Sequence, residues 1–252
     1  LRDVFPPVLE RVDIRLRQSW VEAGLNPDIL SEPDRFPKLT FGNWVGGDRD
    51  GHPLVTADVT RETLARLRHA GRVVLQQQLQ NMLWHLSLSA ELQPLPDMLK
   101  HAITKLRREL GEESAQVRSK YPIEPWRDYV ALLQLRLARM GTDLPGGYRR
   151  KQELADDLAV LRRSLCEVGA RLIADTEVFP IERLLHVFGF HMASLDVRQN
   201  SKFHDRAVCQ LLEAAGFAVE EVGDCEVHLR HVLDVANHLV HVFEGVGDFL
   251  FP

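Results

Sequence analysis

Two short stretches with strand character, residues 38–44 and 191–198, are separated by a long stretch of helical sequence. The first ends at a glycine pair, and the second alternates the apolar Leu195 and Val197 with polar neighbours. Because a long helical crossover connects them, we expect the two strands to be parallel neighbours. Two strands alone do not form a stable sheet, so this pattern predicts a fragment of a larger barrel.

Helical periodicity accounts for most of the remaining chain. Apolar residues recur at intervals of three and four after Pro53 and again between Leu154 and Leu172. We expect Asp58 or Thr60 to cap the first of these helices and Pro94 and Pro96 to end it. The predicted helices cover residues 9–23, the segment after Pro53, 95–110, 125–140, 151–176, a short stretch from Pro180, and 203–215. The sequence therefore predicts a mainly α fold, with a mobile loop at 142–148.

Composition limits the classes of partner. The chain has 252 residues, 45% apolar content and a formal net charge of −5, enough apolar sequence for a substantial core. Charges of both signs are interspersed, so no basic patch favours nucleic acid or an anionic membrane as a partner. The sequence lacks an apolar run of roughly 20 residues and a signal-peptide pattern, and its three cysteines do not form a disulfide or metal pattern. We expect a soluble, cytoplasmic protein that forms a single domain over residues 1–252.

The run from Phe41 to Thr56, FGNWVGGDRDGHPLVT, places an aromatic side chain, a glycine pair and charged residues in one tight turn. It resembles the phosphoenolpyruvate carboxylase family pattern F-x-S-W-M-G-G-D-R-D-G-N-P-x-V-T, with Asn43, Val45 and His52 at three altered positions. Much later in the chain, residues 195–201 read LDVRQNS and resemble the family's L-D-I-R-Q-E-S, with Asn200 in place of Glu. Two motifs in the same order make a chance match improbable.

The resemblance extends over about residues 1–216, and residues 217–252 form a tail of uncertain role. Intact family members are large helical proteins around a (β/α) barrel, and the two strands of this chain would be the first two barrel strands. The resemblance therefore implies a fragment of that fold. The sequence begins with Leu and lacks the family's T-A-H-P-T segment, its metal-holding carboxylates and its glycine-rich basic loop. We expect a segment of a longer product.

The family reaction converts phosphoenolpyruvate and bicarbonate to oxaloacetate and phosphate, through carboxyphosphate and an enolate. The resemblance implies that a divalent metal, Mg or Mn, serves the intact enzyme, and we expect none bound to this fragment. It also implies the remaining carboxylase segments as partners and leaves a homo-oligomer open. We expect the isolated chain to be inactive. The alternative is a non-catalytic helical binding or assembly module derived from the family, which the altered Asn43, His52, Asn200 and Phe203 mildly favour.

Trp44 and Arg198 are the two candidate substrate-binding residues. Each falls at the C-terminal end of a predicted strand, where barrel enzymes place their active sites. The resemblance implies that Trp44 forms an apolar wall against the methylene of phosphoenolpyruvate and that Arg198 binds its phosphate. From the residues alone, Trp44 is more often a core residue, and Arg198 more often belongs to a buried salt bridge with Asp196 or Asp48.

The turn around Trp44 supplies the supporting residues. Gly46 and Gly47 allow the backbone to approach a ligand or a second backbone closely. Asp48 and Asp50 are expected to cap backbone amides and to hold Arg49, which fixes where Trp44 lies. Asp196 lies on the same side of its strand as Arg198 and could orient the guanidinium. These acidic residues do not indicate a calcium loop, because position 59 is Val where such a loop needs Glu.

Near the end of the chain, polar side chains recur on one side of a predicted helix: His228, His231, Asp234, His238 and His241. Imidazoles one helical turn apart could bind zinc. A solvated polar face on an amphipathic helix is several times more probable, because nothing resembling a catalytic Glu accompanies them. We therefore predict no metal site in this chain.

Overall fold

A computed structural model describes residues 3–50 and 52–214, and the histidine stripe at 228–241 lies outside these residues. The fold is mainly α with two short strands, as predicted, and fits a fragment of a helical barrel. The helices are α1 (Phe5–Glu22), α2 (Ala57–His85), α3 (Asp97–Leu110), α4 (Glu113–Lys120), α5 (Pro125–Ala138), α6 (Lys151–Glu167), α7 (Arg171–Ile173), α8 (Phe179–Phe188) and α9 (Ser201–Ala214). The strands are β1 (Gly42–Asn43) and β2 (Ser194–Leu195), and Pro27–Leu30 and Pro33–Arg35 form short 3-10 turns.

The strands β1 and β2 are parallel neighbours, which confirms the predicted pairing. Gly42 lies opposite Ser194 and Asn43 opposite Leu195. The Ser194 amide donates to the Phe41 carbonyl at 2.9 Å, and the Asp196 amide donates to the Asn43 carbonyl at 2.7 Å. Both strands are shorter than the predicted stretches 38–44 and 191–198. Among the described residues neither strand has a second neighbour to continue the ladder.

The described chain divides into two compact units. The first comprises residues 3–48 and 52–197 and contains α1 to α8 with both strands. The second comprises residues 49–50 and 198–214 and contains α9. Within the second unit, the Arg49 amide donates to the Arg198 carbonyl at 2.9 Å.

The main core of the first unit is built from the buried faces of α2, α3, α5, α6 and α8. Four leucines of α6 are fully buried, as their spacing predicts: Leu154, Leu158, Leu161 and Leu165. Trp126 of α5 is also fully buried, and its indole N–H donates to the Ser164 hydroxyl at 3.1 Å. A side chain of this size removes a large apolar surface from water and finds a partner for its one polar group.

A smaller apolar cluster holds the segment that leads into β1. Phe41 stacks between Phe5 of α1 and Phe188 of α8, with ring centroids 4.5 and 5.2 Å apart. The buried Leu9, Val74, Leu184 and Met192 complete this cluster. Beside it, the Arg183 guanidinium donates to the Asp13 carboxylate at 2.8 Å and to the Pro33 and Pro37 carbonyls at 3.3 and 3.2 Å. These contacts fix the proline-rich segment before β1.

Several boundaries differ from the predicted ones. Helix α2 begins one residue after Thr56, whose hydroxyl accepts from the Val59 amide at 3.4 Å, so Thr56 is the cap and neither Asp58 nor Thr60 is. The helix ends at His85, well before Pro94, and Leu86 continues into the core in an extended conformation. The prolines therefore do not terminate α2.

The predicted helix 151–176 is interrupted. Helix α6 ends at Glu167, and Gly169 has φ +78°, a conformation in which a helix cannot continue. The chain then forms α7 and a π-helical turn at Ala174–Val178 before α8. As a result, Leu172, predicted on the apolar face of the long helix, is 75% exposed.

The loop at 142–148 was predicted correctly as a loop, but its second half is anchored to α5 and the residue that follows that helix. Arg136 donates to the Gly146 carbonyl at 3.0 Å, and Arg139 donates to the Pro145 carbonyl at 2.7 Å. The Tyr148 ring is buried under the Arg136 guanidinium, and its hydroxyl donates to Asp157 at 2.8 Å. These contacts leave little freedom at the end of the loop.

A buried carboxyl group on α8 yields a test of this packing. Glu182 accepts a hydrogen bond from Arg162 at 3.2 Å, and Arg162 also pairs with Glu32. Burial raises the pKa of Glu182 from 4.5 to about 7, although the Arg162 guanidinium acts in the opposite direction. The folded protein therefore keeps a proton that the unfolded chain loses between these two values.

We predict that Glu182→Gln removes this pH dependence. As pH rises from 4.5 to 7, the free energy of unfolding of the wild type should fall relative to that of the variant, by up to about 3 kcal/mol. Urea unfolding at several pH values measures this difference. Glu167→Gln, at an exposed residue ending α6, is the control. A constant difference between wild type and Glu182→Gln across the range would contradict the prediction.

Candidate functional site

The turn after β1 is closed by its own backbone and by Asn43. The Trp44 carbonyl accepts hydrogen bonds from the amides of Gly47 and Asp48 at 3.0 and 3.1 Å. The Asn43 carboxamide accepts from the Val45 amide at 3.2 Å and donates to the Val45 carbonyl at 3.3 Å. An Asn side chain readily forms this local bond to the residue two positions later. Trp44 is therefore held at the start of a fixed turn.

The Trp44 side chain is 56% exposed, whereas Trp126 is fully buried. In the first unit, Trp44 is therefore not a core residue, which was the alternative that its residue type alone favoured. It immediately follows β1, so it lies at the C-terminal end of that strand, as predicted. An indole that is partly exposed at a strand end can present an apolar face to a ligand.

The glycine pair is required by close contacts. Gly46 has φ +84°, and a Cβ added there would lie 2.1 Å from the Thr63 hydroxyl. A Cβ added at Gly47 would lie 2.2 Å from the Asp196 carbonyl oxygen. No larger residue fits at Gly47 unless the backbone after β2 moves. Gly47 thus lets the turn after β1 pack directly against the chain that follows β2, and Gly46 lets it pack against Thr63 of α2.

Asp196 is the first residue after β2, and its side chain is exposed. It takes part in the site through its backbone, because its amide donates to Asn43 and its carbonyl lies against Gly47. The role in orienting Arg198 that we expect for its carboxylate stays a prediction. Asp48 is half-buried in the first unit and has contacts within the described structure.

The other predicted site residues belong to the second unit. Arg198 is exposed, and its carbonyl accepts from the amide of Arg49, which is half-buried. Asp50 is exposed. The structure therefore brings Trp44, Gly46, Gly47 and Asp196 together in one unit and joins Arg49 to Arg198 in the other. A cavity shared by Trp44 and Arg198 stays a prediction.

The sequence did not identify the residues of α2 that contact the site turn. The Thr60 hydroxyl donates to the Gly46 carbonyl at 2.9 Å, and Thr63 packs under the same glycine. Gly71, eleven positions after Thr60, lies against the Phe190 carbonyl ahead of β2. A glycine inside a helical pattern was the available signal, because it often marks a close backbone approach.

Within 3–50 and 52–214, no group of three or more His, Cys, Asp or Glu side chains is arranged to hold a metal ion. Burial lowers the pKa of His191, with a further contribution from Arg68. None of the described helices has both the length and the apolar content to cross a membrane.

Comparison with known proteins identifies the family of this chain. The family model described as phosphoenolpyruvate carboxylase matches residues 1–228. The phosphoenolpyruvate carboxylase of Rhodopseudomonas palustris (strain BisA53) is 36% identical over 207 residues, which cover 77% of this chain and 21% of the relative. That of Azoarcus sp. (strain BH72) is 35% identical over 224 residues, covering 82% and 23%. That of Mycobacterium leprae (strain TN) is 31% identical over 230 residues, covering 84% and 22%. The chain thus spans about a fifth of the length of these curated relatives.

We predict that Trp44 contributes little to stability. Replacing Trp44 by Ala should change the free energy of unfolding by less than about 1 kcal/mol, because the side chain is 56% exposed. Trp126→Ala, at the fully buried tryptophan, should cost about 3–5 kcal/mol. Chemical denaturation of both variants measures the contrast. Equal losses in the free energy of unfolding would contradict the prediction and indicate that Trp44 is a core residue.

Proposed function

This chain belongs to the phosphoenolpyruvate carboxylase family, and we propose that it contributes one wall of a carboxylase active site. The proposed reaction is the carboxylation of phosphoenolpyruvate with bicarbonate to give oxaloacetate and phosphate, a carbon dioxide fixation catalysed by a lyase. One observation carries the proposal: the first part of the family motif, residues 41–48, ends in a hydrogen-bonded turn that leaves Trp44 partly exposed at the C-terminal end of a parallel strand. Barrel enzymes build their active sites at such strand ends.

In this proposal Trp44 supplies an apolar surface against the methylene group of phosphoenolpyruvate. An indole face suits this role, because it excludes water without offering an acceptor to the substrate. Arg198 supplies a planar fork of N–H donors to the phosphate, a geometry that a lysine cannot reproduce. Gly47 holds the turn close to the chain after β2, and Gly46 holds it close to α2, as their contacts support. Asp48, Arg49, Asp50 and Asp196 remain proposed supporting residues.

A divalent metal, Mg or Mn, is proposed for the intact enzyme, where it would stabilise negative charge on the substrate. The described residues do not fit such an ion, because they offer no suitable group of ligands. The proposed partners are phosphoenolpyruvate, bicarbonate and the remaining carboxylase segments, and a homo-oligomer is left open. The cytoplasmic location predicted from the sequence stays a prediction.

The alternative is a non-catalytic helical binding or assembly module derived from the family. The altered Asn43, His52, Asn200 and Phe203 are the only observation that favours it. The contacts of Asn43 weaken this argument, because its carboxamide closes the turn that holds Trp44.

We predict that the isolated chain does not carboxylate phosphoenolpyruvate. Stabilising the enolate needs positive charge placed around the developing oxyanion, and the described residues provide no metal site for it. A coupled assay for oxaloacetate, with Mg or Mn and with bicarbonate present or omitted, measures the activity. Bicarbonate-dependent oxaloacetate above a control without protein would contradict this prediction.

A kinetic comparison in a full-length carboxylase carrying this segment tests the proposed site. Trp44→Ala should raise KM for phosphoenolpyruvate by about 5- to 150-fold, since losing one apolar wall costs about 1–3 kcal/mol of binding. Arg198→Lys should also raise KM, because it keeps the charge but loses the bidentate geometry.

The control for this comparison is Trp84→Ala, at a tryptophan of α2 that is 74% exposed and lies outside both motifs. It should leave KM unchanged. If all three variants behaved like the wild type, the proposed roles of Trp44 and Arg198 would be wrong. If the full-length protein itself lacked carboxylase activity, the non-catalytic alternative would gain support.

A further inference from the structure

One face of α2 reaches both the turn after β1 and the segment leading into β2. Thr60 and Gly71 are eleven residues apart, which places them on nearly the same face of a helix and roughly 16 Å apart along its axis. Both residues are buried, as is Leu67 between them. Helix α2 is continuous over Ala57–His85, so these contact points belong to one rigid element.

The first contact point holds the turn that carries Trp44. The Thr60 hydroxyl donates to the Gly46 carbonyl at 2.9 Å and lies 3.2 Å from the carbonyl of Thr56, the cap of α2. Thr63 packs under Gly46 so closely that an added Cβ would collide with its side chain. The distance between the turn and α2 is therefore fixed by a hydrogen bond and by direct packing contact.

The second contact point holds the chain ahead of β2. A Cβ added at Gly71 would lie 2.6 Å from the Phe190 carbonyl oxygen and 2.7 Å from its carbonyl carbon. These are backbone atoms, which cannot move aside as the end of a flexible side chain could. Alanine in place of glycine normally stabilises a helix interior by about 1 kcal/mol, so a glycine here gives up intrinsic helix stability for close packing.

We propose that Thr60 and Gly71 are positioning residues. Through their contacts on α2 they fix the distance of each strand from that helix, and thereby the position of Trp44. The link from this placement to substrate binding rests on the proposed function. The placement itself depends only on contacts within the first unit. Neither residue touches the substrate in this proposal, and both act through the turn and the strand they support.

The chain offers a matched control for Thr60. Thr104 of α3 makes the same hydrogen bond to the carbonyl four residues earlier, with its hydroxyl 2.8 Å from the Lys100 carbonyl. It is exposed, and this hydrogen bond stays within α3. Replacing both threonines by Val removes the same group from a helix, but only the change at position 60 removes a bond to the site turn.

The test uses 5-fluorotryptophan labelling and 19F NMR of the 252-residue chain, whose four tryptophans give one resonance each. Substitution of each tryptophan by Phe assigns the resonances of Trp20, Trp44, Trp84 and Trp126. We expect Thr60→Val to shift or broaden the Trp44 resonance and to leave that of Trp126, in the main core, unchanged. Thr60→Ser should restore the wild-type position, and Thr104→Val should change none of the four.

Gly71→Ala is the second variant. Its Cβ should push the chain before β2 away from α2 and perturb the Trp44 resonance through the β1–β2 pairing. It should also lower the free energy of unfolding, opposite to the change that helix propensity alone predicts. A more stable Gly71→Ala with an unchanged Trp44 resonance would overturn the role of Gly71.

For Thr60, an unchanged Trp44 resonance in Thr60→Val would overturn the proposal. So would a shift of the Trp126 resonance or loss of folding, because the residue would then support the whole core. In a full-length carboxylase, Thr60→Val should raise KM for phosphoenolpyruvate about threefold to tenfold with kcat little changed, the range expected for one hydrogen bond. If Trp44→Ala leaves KM unchanged while Thr60→Val still moves the Trp44 resonance, the proposed function fails and the positioning role stands.

Discussion

The pairing of β1 with β2 is the constraint on which the candidate site depends, and this pairing is too short to be stable by itself. Two residues of each strand face one another, and the amides of Ser194 and Asp196 supply two cross-strand hydrogen bonds. Each bond contributes about 0.5–1.5 kcal/mol, which is comparable to the entropy lost in ordering a single residue. The pairing therefore requires support from the helices around it. The glycines at 47 and 71 show where that support is closest, because in both places a single added carbon atom would collide with backbone.

The segment before β1 is supported by a buried charge. Arg183 is 2% exposed, and its guanidinium bridges the Asp13 carboxylate of α1 and two carbonyls of the proline-rich segment. A buried pair of this kind contributes little net stability, but removing one partner is costly, because the other charge stays buried. The contribution of this ion pair is geometric specificity. The planar Arg183 guanidinium can satisfy its partners in only one arrangement of α1, α8 and the chain that enters β1. The stacked rings of Phe5, Phe41 and Phe188 fill the space beside it.

Sequence patterns predicted those features that depend on local periodicity or on topology. The four buried leucines of α6 follow from spacing, and the parallel pairing of the strands follows from the long crossover between them. The sequence patterns did not predict the features that depend on tertiary contacts. Helix α4 was missed because Glu113–Lys120 has almost no apolar periodicity, and α2 stops at His85 because Leu86 is drawn into the core. In the site, the motif identified the glycine pair but not Thr60, whose side chain acts across fourteen residues on the Gly46 carbonyl.

The departures from the family motif are informative about which positions can vary. Asn43 stands where the pattern has Ser, and its carboxamide makes two hydrogen bonds to the Val45 backbone within the turn. Asn200 stands where the pattern has Glu, and its side chain accepts from the Lys202 amide at 3.1 Å at the start of α9, a role for which Asn is well suited. Both asparagine side chains form local hydrogen bonds to the backbone, so neither change by itself argues for loss of function. The argument for a non-catalytic descendant then depends on His52 and Phe203. Phe203 is 56% exposed, and the Arg206 guanidinium lies 5.7 Å from the centroid of its ring.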